Sequence, residues 1–290
     1  MSEPIITAKM VAELRARTGA GMGDCKAALV EAHGDMDKAI EILRKKGMAK
    51  ADKRADRSAS QGLVVIESST SGHDAAMIEL NCETDFVAKN EDFIALARDL
   101  ARHALAHAPV GVHPGGALDA QPFRSGTVGE AVKEISGKTG EAMALKRVAH
   151  FRADQGSVGH YLHHNAQSGA LVELAGIRGE AVTALGRDLA LHVTSTDPLG
   201  VSEADLPAEL LASERRIAEE QVAAEGKPEK IREKIVEGKL KKFVNERTLL
   251  GQLFVKDDSK TVADLVAGVA KQAGGALTVV RLARFKVGEG

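Results

Sequence analysis

Ala76-Met77-Ile78-Glu79-Leu80 and Ala170-Leu171-Val172-Glu173-Leu174 are two versions of one pattern, and the sequence after each repeats as well. Ala95-Leu96-Ala97-Arg98-Asp99-Leu100-Ala101-Arg102-His103 returns as Ala184-Leu185-Gly186-Arg187-Asp188-Leu189-Ala190-Leu191-His192. The five-residue stretches have strand composition, and the nine-residue stretches carry apolar residues at helical spacing. Upstream of the first pair, Gly62 to Ile66 leads through Ser71-Gly72 to Met77–Leu80. Upstream of the second, Val158 to Leu162 leads through Asn165 and Gly169 to Leu171–Leu174. Each copy therefore reads as a β-hairpin feeding an amphipathic helix. The pattern predicts an α+β protein with two related core subdomains, in each of which a helix covers one face of a small antiparallel sheet.

The copies differ between strand and helix. Fourteen residues separate Leu80 from Ala95, but only nine separate Leu174 from Ala184. The five extra residues fall within Asn81–Asp92. Loops carry sites while strands carry cores, so the longer copy nominates this segment as functional.

Outside the repeat, residues 5–47 predict three short helices. Thr7 caps the first, which carries Met10, Val11 and Leu14 and stops at Thr18-Gly19-Ala20-Gly21. The second runs from about Gly23 to Ala32. The third starts at Asp35 or Asp37, aligns Met36, Ile40 and Leu43, and is expected to end at Lys46-Gly47. This predicts a compact bundle of the ubiquitin-associated (UBA-like) type. Residues 44–57 form a basic run, expected as a solvated helical linker, with nucleic-acid contact as the sharper alternative. Residues 203–247 predict an antiparallel coiled-coil hairpin broken at Gly226-Lys227-Pro228. A helix from Val262 and a last strand, Leu277 to Val287, are expected to complete the second subdomain. The expected division is 1–57 for the UBA-like helices and linker, 58–145 for the first core subdomain, 146–202 with 251–290 for the second, and 203–250 for the hairpin.

Composition narrows the function classes. With 39 basic and 41 acidic residues the net charge is -2, which disfavours a stable nucleic-acid binder and suits a protein that meets another protein. Cys25 and Cys82 are the two cysteines, too few for a disulfide framework, and imply a reducing compartment. Met1 to Glu13 has no uninterrupted apolar stretch of the kind a secretory leader carries, and no apolar run approaches the ~18 residues of a membrane span. A cytoplasmic location is the expectation. Aromatic residues are few: no Trp, Tyr161 alone and seven Phe. An exposed Phe would therefore stand out.

Catalytic and cofactor chemistry find little support. Gly21 to Lys26 does not supply the phosphate-cradling Gly-x4-Gly-Lys-Ser/Thr spacing, so direct nucleotide binding is not expected. His103 and His107 sit four apart and His160, His163 and His164 cluster, but no HExxH or CxxC pattern accompanies them. Neither cysteine has the setting of a nucleophile. The expectation is no enzyme, no metal and no cofactor. Glu83–Asp92 is the sharpest feature. Its plain reading is a capped helix start, with Thr84 or Asp85 as cap and Asn90-Glu91-Asp92 opening the next helix. Its functional reading is a stiff wedge, with Asp85 and Phe86 at the tip. The two readings are compatible, because a capped turn loses little entropy when its side chains insert into a partner.

Thr18-Gly19-Ala20-Gly21-Met22-Gly23-Asp24-Cys25-Lys26-Ala27-Ala28-Leu29 resembles the first signature of the bacterial elongation factor Ts family, and Glu79-Leu80-Asn81-Cys82-Glu83-Thr84-Asp85-Phe86-Val87-Ala88-Lys89-Asn90 resembles its second. Val236–Phe243 and the closing Arg284–Gly290 are also similar to the family, so the resemblance covers nearly the whole chain. It implies a guanine-nucleotide exchange factor for the GTPase elongation factor Tu, in which Thr84, Asp85, Phe86 and Val87 disturb the partner's Mg²⁺ and nucleotide site. It further implies partner contacts by Arg15 and Met22 of the first bundle and by His163, with His164 beside it. It admits a homodimer within a two-to-two complex.

Overall fold

The computed structural model describes residues 5–226 and 228–289. Met1–Pro4, Lys227 of the hairpin break and the closing Gly290 thus lie outside the described residues. In chain order the elements are α1 (Ala8–Thr18), α2 (Met22–Glu31), α3 (Met36–Asp52), β1 (Gln61–Ser68), β2 (Asp74–Cys82), α4 (Asp85–Ala88), α5 (Glu91–His107), β3 (Gly111–Pro114), β4 (Pro122–Phe123), β5 (Gly126–Thr127), α6 (Val128–Thr139), β6 (Met143–Arg152), β7 (Gly156–Leu162), β8 (Ser168–Gly176), α7 (Glu180–Thr196), α8 (Ala208–Ala224), α9 (Glu229–Arg247), β9 (Leu253–Phe254), β10 (Asp257–Thr261), α10 (Val262–Ala273) and β11 (Leu277–Lys286). The protein is α+β, with antiparallel sheets ordered β1-β2-β6-β3 and β11-β8-β7.

The repeat seen in the sequence is geometrically faithful. β2 and β8 are both nine residues long, and α5 and α7 both seventeen. Their buried positions coincide: Phe93 with Val182, Leu96 with Leu185, Ala97 with Gly186, Leu100 with Leu189, Ala101 with Ala190 and Ala104 with Val193. The repeat also continues where its signal is too weak to read locally. β4, β5, α6 and β6 have twins in β9, β10, α10 and β11. Thr127 with Glu130 and Thr261 with Asp264 form matching capping boxes. Arg147-Val148-Ala149-His150-Phe151 matches Arg281-Leu282-Ala283-Arg284-Phe285.

Strand alternation explains how the halves join. In β2, Ala76, Ile78 and Leu80 point to the core beneath α5 and α6, while Ala75 and Met77 point the other way. In β8, Ala170, Val172 and Leu174 face α7 and α10, and Leu171 faces away. Those reverse faces meet. Val64, Met77, Ala149, Phe151, Leu171, Ala283 and Phe285 are buried together between the two sheets. The molecule's centre is thus helix, sheet, sheet, helix, so each sheet is covered on both faces.

The seam between the sheets also holds charge. Glu79 is fully buried and accepts from Arg147 Nε at 2.6 Å. Its twin Glu173 accepts from Arg281 Nε, also at 2.6 Å. Each guanidinium lies over the aromatic ring of the other half: Arg147 is 4.4 Å from the Phe285 centroid and Arg281 is 4.6 Å from that of Phe151. One residue, Lys146 in one sheet and Val280 in the other, is bulged out beside each pair.

The N-terminal helices start where expected. Thr7 caps α1, left-handed Gly19 (φ 70°) ends it, and Asp35 caps α3. The expected end of α3 at Lys46-Gly47 is corrected. The helix continues to Asp52, because Gly47 marks a close approach between helices rather than a stop. It lies against Gly137 of α6, and a Cβ placed on Gly137 would come within 2.9 Å of the Gly47 backbone. Lys133 pairs with Asp52 at 2.7 Å, and Arg54 donates to the Ser136 carbonyl at 3.0 Å. The basic run is thus helical to Asp52 with its charged face in solvent, as expected, and it is docked on α6 through Asp52 and Arg54. Gly137→Val is expected to force α3 off α6 at a cost of about 1–3 kcal/mol, read as a lower melting temperature and faster proteolysis near residues 53–60.

The hairpin helices α8 and α9 pack through Ala218, Val222, Ile235 and Val236, with Arg215 and Glu233 paired at 2.9 Å. At its base, His192 of α7 is fully buried near Phe254. Its Nε2 donates to Gln252 Oε1 at 2.8 Å, and its Nδ1 accepts from the Val255 N–H at 3.1 Å. Both ring nitrogens are satisfied only when the ring is neutral, and burial holds its pKa below the ordinary 6.5. The contribution to stability is therefore complete above pH ~6.5 and falls as the pH drops below that value. Between pH 7 and 5 the melting temperature of the wild type is expected to fall more steeply than that of His192→Gln. Equal slopes would contradict it. Among the described residues, no helix is long and apolar enough to cross a membrane.

Candidate functional site

The five extra residues of the first copy lie in the segment that folds as the one-turn helix α4. Thr84 is its N-cap: the hydroxyl accepts from the Val87 N–H at 3.4 Å and donates to Glu141 Oε1 at 2.6 Å. Thr84 N–H donates to Glu141 Oε2 at 3.0 Å. Ala142 N–H donates to Glu83 Oε1 at 2.7 Å, and Arg57 lies 3.5 Å from the same oxygen. Val87 and Ala88 turn inward onto the core. Asn90 then caps α5 through the Asp92 and Phe93 N–H groups, at 2.9 and 3.4 Å. Every stretch of this segment is therefore anchored except its apex.

The apex is Asp85 and Phe86. The Phe86 ring is 81% exposed, in a chain with seven Phe. Asp85 pairs with Lys89 at 2.6 Å, and that ammonium holds the carboxyl below the usual carboxylate range, so the tip is charged throughout neutral pH. Beneath it, Cys82 donates to the Thr84 carbonyl at 3.2 Å. Burial first, then the Glu141 charge, pushes its thiol up to about 12, which leaves it inert. The arrangement presents a large apolar ring beside a carboxylate on a support that needs little ordering upon contact.

The remaining candidates fall elsewhere on the surface. Arg15 is exposed on α1 and Met22 is 48% exposed at the start of α2. The end of α1 abuts the foot of the loop: Arg17, Thr18 and Gly19 share a crevice with Asn90, Asp92 and Lys138. His163 occupies the β7–β8 turn of the other sheet, half-buried, with Tyr161 Oη 3.2 Å from its Nδ1 and the exposed His164 ring 4.3 Å away. Thr84, Asp85, Phe86 and Val87 thus form one unit. Arg15 and Met22 lie on the N-terminal bundle, and His163 lies on the second sheet. The His103 and His107 rings lie 4.7 Å apart, tilted by 45°, and His103 bonds Gln121 at 2.8 Å. No group of three or more metal-ligating side chains assembles among the described residues. Glu141 carries no local signal in the sequence. It precedes β6 in the half of the repeat that its own sequence signal, Arg-x-Ala-x-Phe, could have revealed.

Fold and site together define a modular α+β protein that presents an apolar, acid-flanked tip from a rigid two-sheet body. A model of the family described as "Elongation factor TS" matches residues 83–289, more than half of the chain. Curated relatives agree. "Elongation factor Ts" of Alkalilimnicola ehrlichii is 44% identical over 285 residues, spanning 98% of this chain and 93% of the relative. That of Methylococcus capsulatus is 46% identical over 286 residues with the same coverage, and that of Chlorobium phaeobacteroides 41% identical over 289 residues, 98% of this chain and 99% of the relative. The chain belongs to the elongation factor Ts family.

Proposed function

We propose that this chain is a guanine-nucleotide exchange factor that binds elongation factor Tu·GDP and speeds GDP release during translation elongation. Family membership supports the role. The observation that carries the mechanism is Phe86, exposed at the apex of a turn whose other residues are tied down. GDP and Mg²⁺ hold each other in a GTPase site, because the ion neutralises phosphate charge. A wedge that displaces the elements positioning the ion weakens both ligands. By linkage, a factor that prefers the nucleotide-free partner loosens the nucleotide by the same free energy. Thr84, Asp85, Phe86 and Val87 form the wedge. Arg15 and Met22 on the bundle and His163 on the second half widen the grip. Exchange breaks no covalent bond, so no residue is assigned a catalytic role and no cofactor is needed. In this reading the factor is cytoplasmic, where its partner acts.

An RNA-binding role for residues 44–57 is disfavoured by where those charges go. Lys45, Lys46 and Lys50 pair with Glu41, Glu31 and Asp24, Arg44 lies 3.7 Å from Glu134, and Arg57 reaches Glu83. The deciding experiment is release of labelled GDP from elongation factor Tu with substoichiometric amounts of this protein. Acceleration is the expected result, and unchanged release would refute the proposal.

A further inference from the structure

The internal duplication provides a control for the residues at the base of the tip. The α6–β6 turn, Gly140-Glu141-Ala142, has its twin in Gly274-Gly275-Ala276, and both turns pivot on a left-handed glycine (φ 81° and 75°). Glu141 thus corresponds to Gly275. By the alignment of β2 with β8, Glu83 corresponds to Ile177. Both carboxylates occur in the copy with the long loop, and neither occurs in the copy without it. In the second copy the backbone suffices: Ile177 N–H donates to the Ala276 carbonyl at 3.1 Å.

We propose that Glu141 is a positioning residue for the exchange tip, acting through Thr84. Its two carboxylate oxygens take both donors of Thr84, the N–H at 3.0 Å and the hydroxyl at 2.6 Å. This fixes the rotamer in which the same hydroxyl also caps α4 through Val87, and the cap sets the direction of Phe86. Charge-assisted bonds of this kind are the stronger ones, and here they form a bidentate clamp. Glu83 returns the contact by accepting from Ala142 N–H. Glu141 is held in turn. The Ser136 hydroxyl donates to its carbonyl, and its N–H donates to the Thr139 hydroxyl at 3.4 Å. Ser136 also accepts from Arg54, which joins the N-terminal helices to the same support. The basic run singled out in the sequence thereby gains a role: Arg54 and Arg57 brace the base of the loop from the bundle side.

The proposal rests on the exchange reading above, and the test separates the two. GDP release from elongation factor Tu is measured with the wild type, Glu141→Ala, Glu141→Gln, Phe86→Ala and the double variant. Glu141→Ala is expected to lower kcat about tenfold, the scale of losing charge-assisted bonds, with KM changed less than about threefold. Glu141→Gln keeps one acceptor oxygen for the Thr84 hydroxyl and is expected to fall between the two. In the Phe86→Ala background, Glu141→Ala is expected to cost almost nothing further, since the side chain it aims is already gone. Wild-type kcat for Glu141→Ala would overturn the proposal, as would the same fold-loss in both backgrounds, which would mark a general effect on the fold. A wild-type protein that does not accelerate release would instead remove the exchange reading itself.

Discussion

Phe86→Ala is expected to abolish most of the acceleration of GDP release while leaving the folded protein almost unchanged. The ring is 81% exposed, so truncation removes little buried area, and exposed substitutions of this kind stay within about 0.5 kcal/mol. The melting temperature should move by no more than about 2 °C. In the complex the ring would be an aromatic anchor driven into the partner. Truncating such anchors costs about 2 kcal/mol or more, which is at least a 30-fold loss in kcat/KM. The two readouts separate the wedge from the plain capped turn. A large loss of stability with proportionate loss of exchange would mean that Phe86 supports the fold. Full exchange with an unchanged melting temperature would mean that the tip is a bystander. Asp85→Asn refines the point: it keeps the shape and removes a charge that Lys89 already balances.

Glu79→Ala carries the largest expected effect on stability, on the order of 3–5 kcal/mol. Glu79 has no solvent exposure. It accepts from Arg147 at 2.6 Å and from the Gly288 N–H at 3.1 Å, so one carboxylate ties β2 to β6 and to the chain's return after β11. Arg147 also donates to the Lys286 carbonyl at 3.0 Å while covering the Phe285 ring. Removing Glu79 leaves a partly buried guanidinium without its counter-ion at the seam between the sheets, and the loss is expected to appear as a drop of roughly 10 °C in melting temperature. Replacing both partners with apolar residues, Glu79→Leu with Arg147→Met, should recover much of that loss, because no buried charge is left unpaired. A single variant that melts within about 2 °C of the wild type would show that the seam takes up water at no cost. Glu173→Ala tests the twin pair in the same way, and a similar loss would support equal weight on both sides of the pseudo-symmetric junction.

These two residues differ in how much of their setting the sequence exposes. The presentation of Phe86 on a capped turn was legible because the signals for it are local. A short segment with its own capping residues is longer than its internal twin, and a Phe is conspicuous where aromatics are few. Glu79 was visible as a repeated letter, matched by Glu173, but its environment was not. Alternation along β2 predicts which residues share a face. It does not say that the second face will be buried against another sheet.

The sequence by itself determined the duplication, the phase of α5 and α7, the cap at Thr7, the capped turn at Thr84 or Asp85, and the helical hairpin. The caps and helix phases follow from periodicity or turn chemistry within about twenty residues, and the duplication follows from comparing two such stretches. Only the tertiary structure decided that Gly47 lets α3 run on against α6, that Glu79 and Glu173 are buried ion-paired groups, and that Glu141 holds the loop from 57 residues away. In each of these cases the deciding partner is distant in sequence. A glycine is a helix stop or a helix contact, and a glutamate a surface charge or a buried clamp, according to what the folded chain brings up against it.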